Sequence, residues 1–188
     1  MRQDVASVDL AHTPELIYMS IQQEIMARAE EKPPRLFEVL PRLPNAPEER
    51  FLFVTPEIQS MLVGPWSSEA QEIRWARLKA DLDHFVEGGL INQGYMKPLR
   101  KRSDEIWEIR SREPAPSIRV FGRFADIDVF VATTWAERSF LELFDQWRRH
   151  KRRCNAQWQQ LFLAYPPRTG VTIHDYISHN AHHDYTDW

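Results

Sequence analysis

The chain has 188 residues, 24 of them Lys or Arg and 27 Asp or Glu, for a formal net charge of −3. That near-neutral balance excludes a nucleic-acid protein recognised by bulk charge, and a 43% hydrophobic content with 12% aromatics excludes wholesale disorder. Along the chain the charge is uneven: residues 1–96 carry −6, residues 97–153 carry +5 and the last 35 carry −2. A basic block of this kind points to an anionic partner. Cys154 is the only cysteine, so no internal disulfide is expected, in keeping with a reducing compartment. Asp4 and Asp9 fall where a signal peptide needs an apolar run, and no stretch approaches the ~18 apolar residues of a membrane span. The expectation is a soluble, cytoplasmic protein with no membrane contact.

In chain order, Thr13-Pro14-Glu15 offers a cap, a first-turn proline and an early acid, which predicts a helix over 14–29. Ile17, Ile21 and Ile25 make its apolar stripe. Pro33, Pro34, Pro41, Pro44 and Pro47 then predict an irregular connector over 31–49, available to strap across another surface. Phe51–Val54 reads as a short strand and 56–62 as a short helix. Ser67-Ser68-Glu69 opens a helix over 69–87 whose Leu78, Leu82, Phe85 and Val86 face inward and which Gly88-Gly89 ends. Strand-like runs follow at 105–111, 117–124 and 128–134. Phe140, Phe144, Trp147, Cys154, Trp158 and Leu161 then predict one long helix over 138–163, stopped by Pro166-Pro167. The result is an α+β domain over about 50–165, with 1–49 and a tail, 166–188, outside it.

Alternation separates the strands into two faces. Trp107 and Ile109 point one way, Glu108 and Arg110 the other. Ile118, Val120 and Phe124 take the core side, which leaves Arg119, Phe121 and Arg123 on the opposite side. If these strands are neighbours, Arg110, Arg119 and Arg123 share an open face with Phe121, and Glu108 is placed to orient a guanidinium. Fixed guanidiniums bind phosphate bidentately and an aromatic ring stacks a base, a combination suited to single-stranded RNA. An ordinary solvated sheet face shows the same alternation.

Lys97-Pro98-Leu99, Ile106-Trp107-Glu108-Ile109-Arg110 and Ser117-Ile118-Arg119-Val120-Phe121, in that order, resemble the strand motifs of the RelE/ParE superfamily of bacterial toxins, nearest its HigB-like and phage-derived branches. The likeness covers about residues 50–150. It implies a small twisted antiparallel sheet packed on helices. It further implies a toxin of a type II toxin–antitoxin system that cuts messenger RNA on the ribosome, needs no metal or other cofactor, and is silenced by an antitoxin. Cleavage in that family is 2′-OH attack on the adjacent phosphate. Carried over by position, the resemblance assigns Arg119, Arg110 and Arg138 to catalysis and Lys97 to RNA binding, and Arg123 joins the RNA-binding residues through its place on the open sheet face. The chain departs from the family at its last strand, where Thr133-Thr134-Trp135-Ala136-Glu137-Arg138 replaces the usual paired lysines. No Tyr or His opens the following helix, so a proton acceptor would have to come from His150 or the tail. The alternatives are a non-catalytic module of the same fold that binds RNA or protein, and a gyrase inhibitor of the ParE type.

Arg148, Arg149, Arg152 and Arg153 lie at i, i+1, i+4 and i+5 of the long helix, a face for ribosomal RNA, for an acidic antitoxin segment or for water alone. His174, His179, His182 and His183 with Asp175 and Asp184 have types that suit zinc or nickel, but terminal histidines usually form a plain tail and no metal is expected. Tyr176, Tyr185 and Trp188 predict that part of the tail packs down, over the open sheet face. Residues 1–49 are candidates for a built-in cover, for an oligomer contact or for a simple enlargement of the core.

Overall fold

The computed structural model describes residues 20–43, 45–100 and 102–182. Its first helix, α1 (Ile21–Glu30), begins later than expected: Ser20 is extended, accepts from the Gln23 N–H at 3.2 Å and donates its own N–H to the Gln23 side chain at 2.7 Å. This reciprocal cap satisfies two orphan donors and sets the helix start. Pro14 and Ile17 lie outside the described residues.

Two residues of the proline-rich connector suffice for β1 (Phe37–Glu38), which sits between Pro34 and Pro41 and pairs antiparallel with β2 (Phe51–Val54). Next come α2 (Pro56–Val63), α3 (Glu69–Val86) and β3 (Met96–Pro98). The chain continues through β4 (Trp107–Ser111), β5 (Ile118–Asp126), β6 (Val129–Glu137), α4 (Arg138–Leu141) and α5 (Gln146–Leu161). The six strands form one sheet in the order β1-β2-β6-β5-β4-β3. It is mixed, not antiparallel as expected, because β2 runs parallel to β6. A parallel pair needs a crossover, and α2 and α3 with the strands after them provide it.

The long helix expected over 138–163 is two. Asp145 adopts φ 62°, a left-handed conformation that Asp tolerates, and the corner leaves Phe144 93% exposed. Among the described residues no helix is long and apolar enough to cross a membrane.

The first face of the sheet presents Leu52, Trp107, Ile109, Val120, Phe124 and Phe130 to Trp75, Leu78, Leu82 and Phe85 of α3. The segment expected as a tail joins this core instead of the other face. Tyr176 is fully buried, with its ring 4.9 Å from Trp107 and 5.2 Å from Phe124, and its hydroxyl donates to the Glu105 carboxylate at 2.5 Å. Ile173 and Ile177 are buried beside it, while Tyr185 and Trp188 lie outside the described residues. Arg50 ties the layers together. Its buried guanidinium donates to the carbonyls of Phe85, Gly89 and His179 at 3.3, 2.9 and 2.8 Å and lies 3.7 Å from Asp128.

The second face, expected to be open, is covered as well. Phe53 and Val131 pack against Ile25 of α1 and Trp158 and Leu161 of α5, and Phe121 and Ala136 pack against Leu141 and Cys154. A bulge helps this contact: Phe121 pairs with Thr134 but Gly122 with Ala132, so Thr133 is the extra residue. Its hydroxyl reaches the Cys154 sulfur at 3.1 Å. Opposite the bulge a Cβ on Gly122 would stand 2.3 Å from the Val131 carbonyl oxygen, so only glycine fits.

The burial of Tyr176 yields a stability prediction. Tyr176→Ala should lower unfolding free energy by about 3–5 kcal/mol, the range for removing a fully buried aromatic ring, measured by urea denaturation at constant m-value. Full stability would mean that residues 173–177 do not belong to the core.

Candidate functional site

Strand register brings a charged group together at the β3–β4–β5 side of the second face. Lys97 stands opposite Glu108, and Arg110 opposite Arg119. Arg119 in turn faces Ala136, and Arg138 follows β6 directly. Two arginines directly opposed across a ladder repel. Glu108, 1% exposed, relieves this. One of its carboxylate oxygens accepts from Nε of Arg110 at 2.7 Å and lies 2.7 Å from Nη2 of the same guanidinium, while the other lies 3.6 Å from Nε of Arg119. Arg119 also donates to the Ile118 carbonyl at 2.9 Å, and Arg110 to the Gln93 carbonyl at 3.1 Å.

The cations feel one another. Burial first, and then Arg110, hold the Lys97 ammonium below its ordinary range; Arg138 and Arg119 push the same way and Glu108 opposes them. The Arg119 guanidinium is lowered by burial first, with Glu108 pulling up and Arg110, Arg138 and Arg112 pushing down. Arg138 is more open than Arg110 and Arg119. Its side chain is 42% exposed, pairs with Glu142 at 3.0 Å and lies 5.7 Å from the Trp147 ring centre. Four cations therefore share one field around a single buried carboxylate, with Trp147 at the rim. Such a half-dehydrated positive field binds phosphate oxygens more strongly than exposed cations do.

Other expected site residues lie elsewhere. Phe121 is not a stacking platform: it is 1% exposed, with its ring edge-on to Trp147 at 5.9 Å. Arg123 is not a solvent-facing clamp. It is 8% exposed, donates to the Asp104 carbonyl at 2.6 Å and to the Asn155 side chain, and lies 5.9 Å from the Trp158 ring centre. Both are buried for one reason, the seating of α5 on this face. The helix basic run divides: Arg148 and Arg152 pair with Asp145 at 3.2 and 3.7 Å, whereas Arg149 and Arg153 line a cleft on the other flank. Cys154 is inert, its thiol pushed up to about 11 by burial. Among the described residues no three His, Cys, Asp or Glu side chains are arranged to hold a metal, and His183 and Asp184 lie outside them.

The cleft, of about 470 Å³, opens where β2 has ended and β6 continues. Trp135 and Glu137 from β6, Phe140 from α4 and Arg149, His150 and Arg153 from α5 line it, and Glu57 of α2 reaches in to pair with Arg153. His150 sits between the Phe121 and Phe140 rings at 5.8 and 5.9 Å, and its Nδ1 is buried with no hydrogen-bond partner among the described residues. Burial, then Arg153, lowers its pKa. Sequence spacing put Phe140 on the apolar stripe of the long helix and placed Glu57 only within a short helix over 56–62. Only the density of aromatic and charged types at 135–153 hinted at this cleft.

No family model matches this chain, and no curated protein or solved structure matches it either.

The buried carboxylate is the residue this side of the sheet is least able to lose. Glu108→Gln should cost about 3–5 kcal/mol, the range for stranding a buried charge, read by urea denaturation. His150 makes a pH prediction. Because its folded pKa lies below 6.5, native His150 binds its proton less readily than the unfolded chain does, so stability rises with pH from the folded pKa to about 6.5. Relative to His150→Gln, the wild type should gain thermal stability across that window, and parallel profiles would refute it.

Proposed function

We propose that this protein grips single-stranded RNA through Lys97, Arg110, Arg119 and Arg138 and cuts it without a metal, as the RelE-like toxins do whose strand motifs it resembles. The observation that carries this reading is the gathering of Lys97, Arg110 and Arg119 about Glu108, with Arg138 near enough for its charge to act on Lys97 and Arg119. In the reaction the 2′-oxygen bonds to the adjacent phosphorus, the P–O5′ bond breaks, and a cyclic phosphate and a 5′-hydroxyl result. Lys97, held below its ordinary range, takes the 2′-OH proton. Arg110 and Arg138 hold the phosphate, and Arg119, locked by Glu108, stabilises its developing charge from beneath. Solvent protonates the departing 5′-oxygen, because arginine cannot give up a proton. Messenger RNA on the ribosome is the substrate, and a cognate antitoxin is the partner that silences the toxin.

A second reading, RNA binding without cleavage, draws on one feature: the Arg119 guanidinium is already engaged by Glu108 and the Ile118 carbonyl. Messenger RNA incubated with the full chain, with and without ribosomes, separates the two. Cleavage is expected, and Lys97→Met and Arg110→Ala should each slow it by about a hundredfold, comparable to losing one transition-state donor. Arg110→Ala should also lower the salt slope of RNA binding by about 0.7, the single-strand value per phosphate contact. Binding without cleavage favours the second reading. Absence of saturable RNA binding at low salt overturns both.

A further inference from the structure

The cleft at the end of β6 holds chemistry that the cationic face does not use. Phe140 is 43% exposed, and its ring is braced edge-on by His150 at an interplanar angle of 86°. Trp135 is braced in the same way by Trp75, at 5.2 Å and 87°. Two aromatic rings are thus fixed before anything binds. Both carboxylates are already paired, Glu57 with Arg153 and Glu137 with Arg74 at 2.8 Å. Arg149 has no ion-pair partner among the described residues, so the lining carries an uncommitted guanidinium. The backbone contributes as well. Arg138 donates its N–H to the Ser117 carbonyl at 2.7 Å, so alternation turns the N–H and C=O of Trp135 and Glu137 away from β5. On that side β2 has given way to α2, and the strand edge lies in the cleft.

The geometry points to a nucleotide site in this cleft, with the base on Phe140 and Trp135, its amino group on Glu57 or Glu137, and the phosphate on Arg149 and Arg153. A free donor–acceptor edge beside an aromatic platform reads base edges, and forked guanidiniums take the phosphate. The volume lies within the ~300–1,000 Å³ of small-molecule sites. Both carboxylates accept hydrogen bonds, which favours bases that carry an amino group over uracil. An extended peptide is disfavoured, because Trp135–Glu137 gives it only three residues of edge. The inference deepens the RNA reading and rests on it for the polymer alone. Glu137 directly precedes Arg138, so a strand held at the cationic face has a neighbouring nucleotide within reach of the cleft.

Titration of the full chain with AMP, CMP, UMP and inorganic phosphate, followed by backbone amide spectra, tests it. AMP and CMP should bind saturably and at least tenfold more tightly than UMP or phosphate, shifting the amides of Trp135 and Glu137. Phe140→Ala, which removes a base stack, and Arg149→Gln, which removes a phosphate contact, both at exposed positions, should each weaken AMP about tenfold, with thermal unfolding unchanged. Lys97→Met should leave AMP binding as in the wild type. UMP or phosphate binding as tightly as AMP overturns the site, as does binding that ignores Phe140→Ala in a folded variant, or amide shifts confined to other residues. A chain that binds AMP here yet binds no RNA overturns the RNA reading and supports this one.

Discussion

Glu108 stands between a lysine and two arginines on strands that hydrogen bond directly to one another. Without a carboxylate there, Arg110 and Arg119 would face each other across the ladder as like charges in a half-dry environment. With it, the cationic side chains become a fixed array. Arg119 can then be buried while charged, and Lys97 can sit close enough to its neighbours for its ammonium to feel them. Seating α4 and α5 on the rest of this face depends on that compensation, since Phe121, Ala136 and Leu141 pack a short distance along the same strands. Carboxylate, cations and apolar cover form one arrangement in which each part makes the next tolerable.

The parity of β4 and β5 was legible from alternation alone: Trp107, Ile109 and Val120 face α3, and Glu108, Arg110 and Arg119 face away. What covers the second face was not. Cys154, Trp158 and Leu161 announce a buried helix stripe, but a stripe does not say which sheet face receives it. That choice buried Phe121 and Arg123. The parallel docking of β2 was equally hidden, because the four apolar residues Phe51–Val54 show no alternation and their partner lies far along the chain. The break at Asp145 is invisible because helical spacing runs straight through it. Ile173, Tyr176 and Ile177 did carry a signal, an i, i+3, i+4 apolar spacing after the double proline, which a tail has no reason to show.

Both candidate regions owe their positions to β6. Its first half is enclosed between β2 and β5, whereas its second half keeps β5 alone. The bulge at Thr133 marks the change and turns the strand's last residues toward α4. Ala136 lies on the cationic side and Trp135 on the other, so one stretch of three residues borders both a charged face and an aromatic cleft. The two can be altered separately by substitution, yet they share a rigid support.

The Arg50 contact with the His179 carbonyl, the Tyr176 ring against Trp107 and the bridge between Ile91 and Ala181 all join the front of the chain to its last described residues. During synthesis every strand and all of the helices α1 to α5 leave the ribosome before those residues do. A nascent chain that ends at Leu161 therefore holds Trp107 and Phe124 without the Tyr176 ring, and Arg50 without one of its acceptors. Domains close as units once their last core residues are available. For this chain that moment comes only once Ile177 has left the ribosome, so a copy terminated at Leu161 would lack a finished core however complete its cationic strands were.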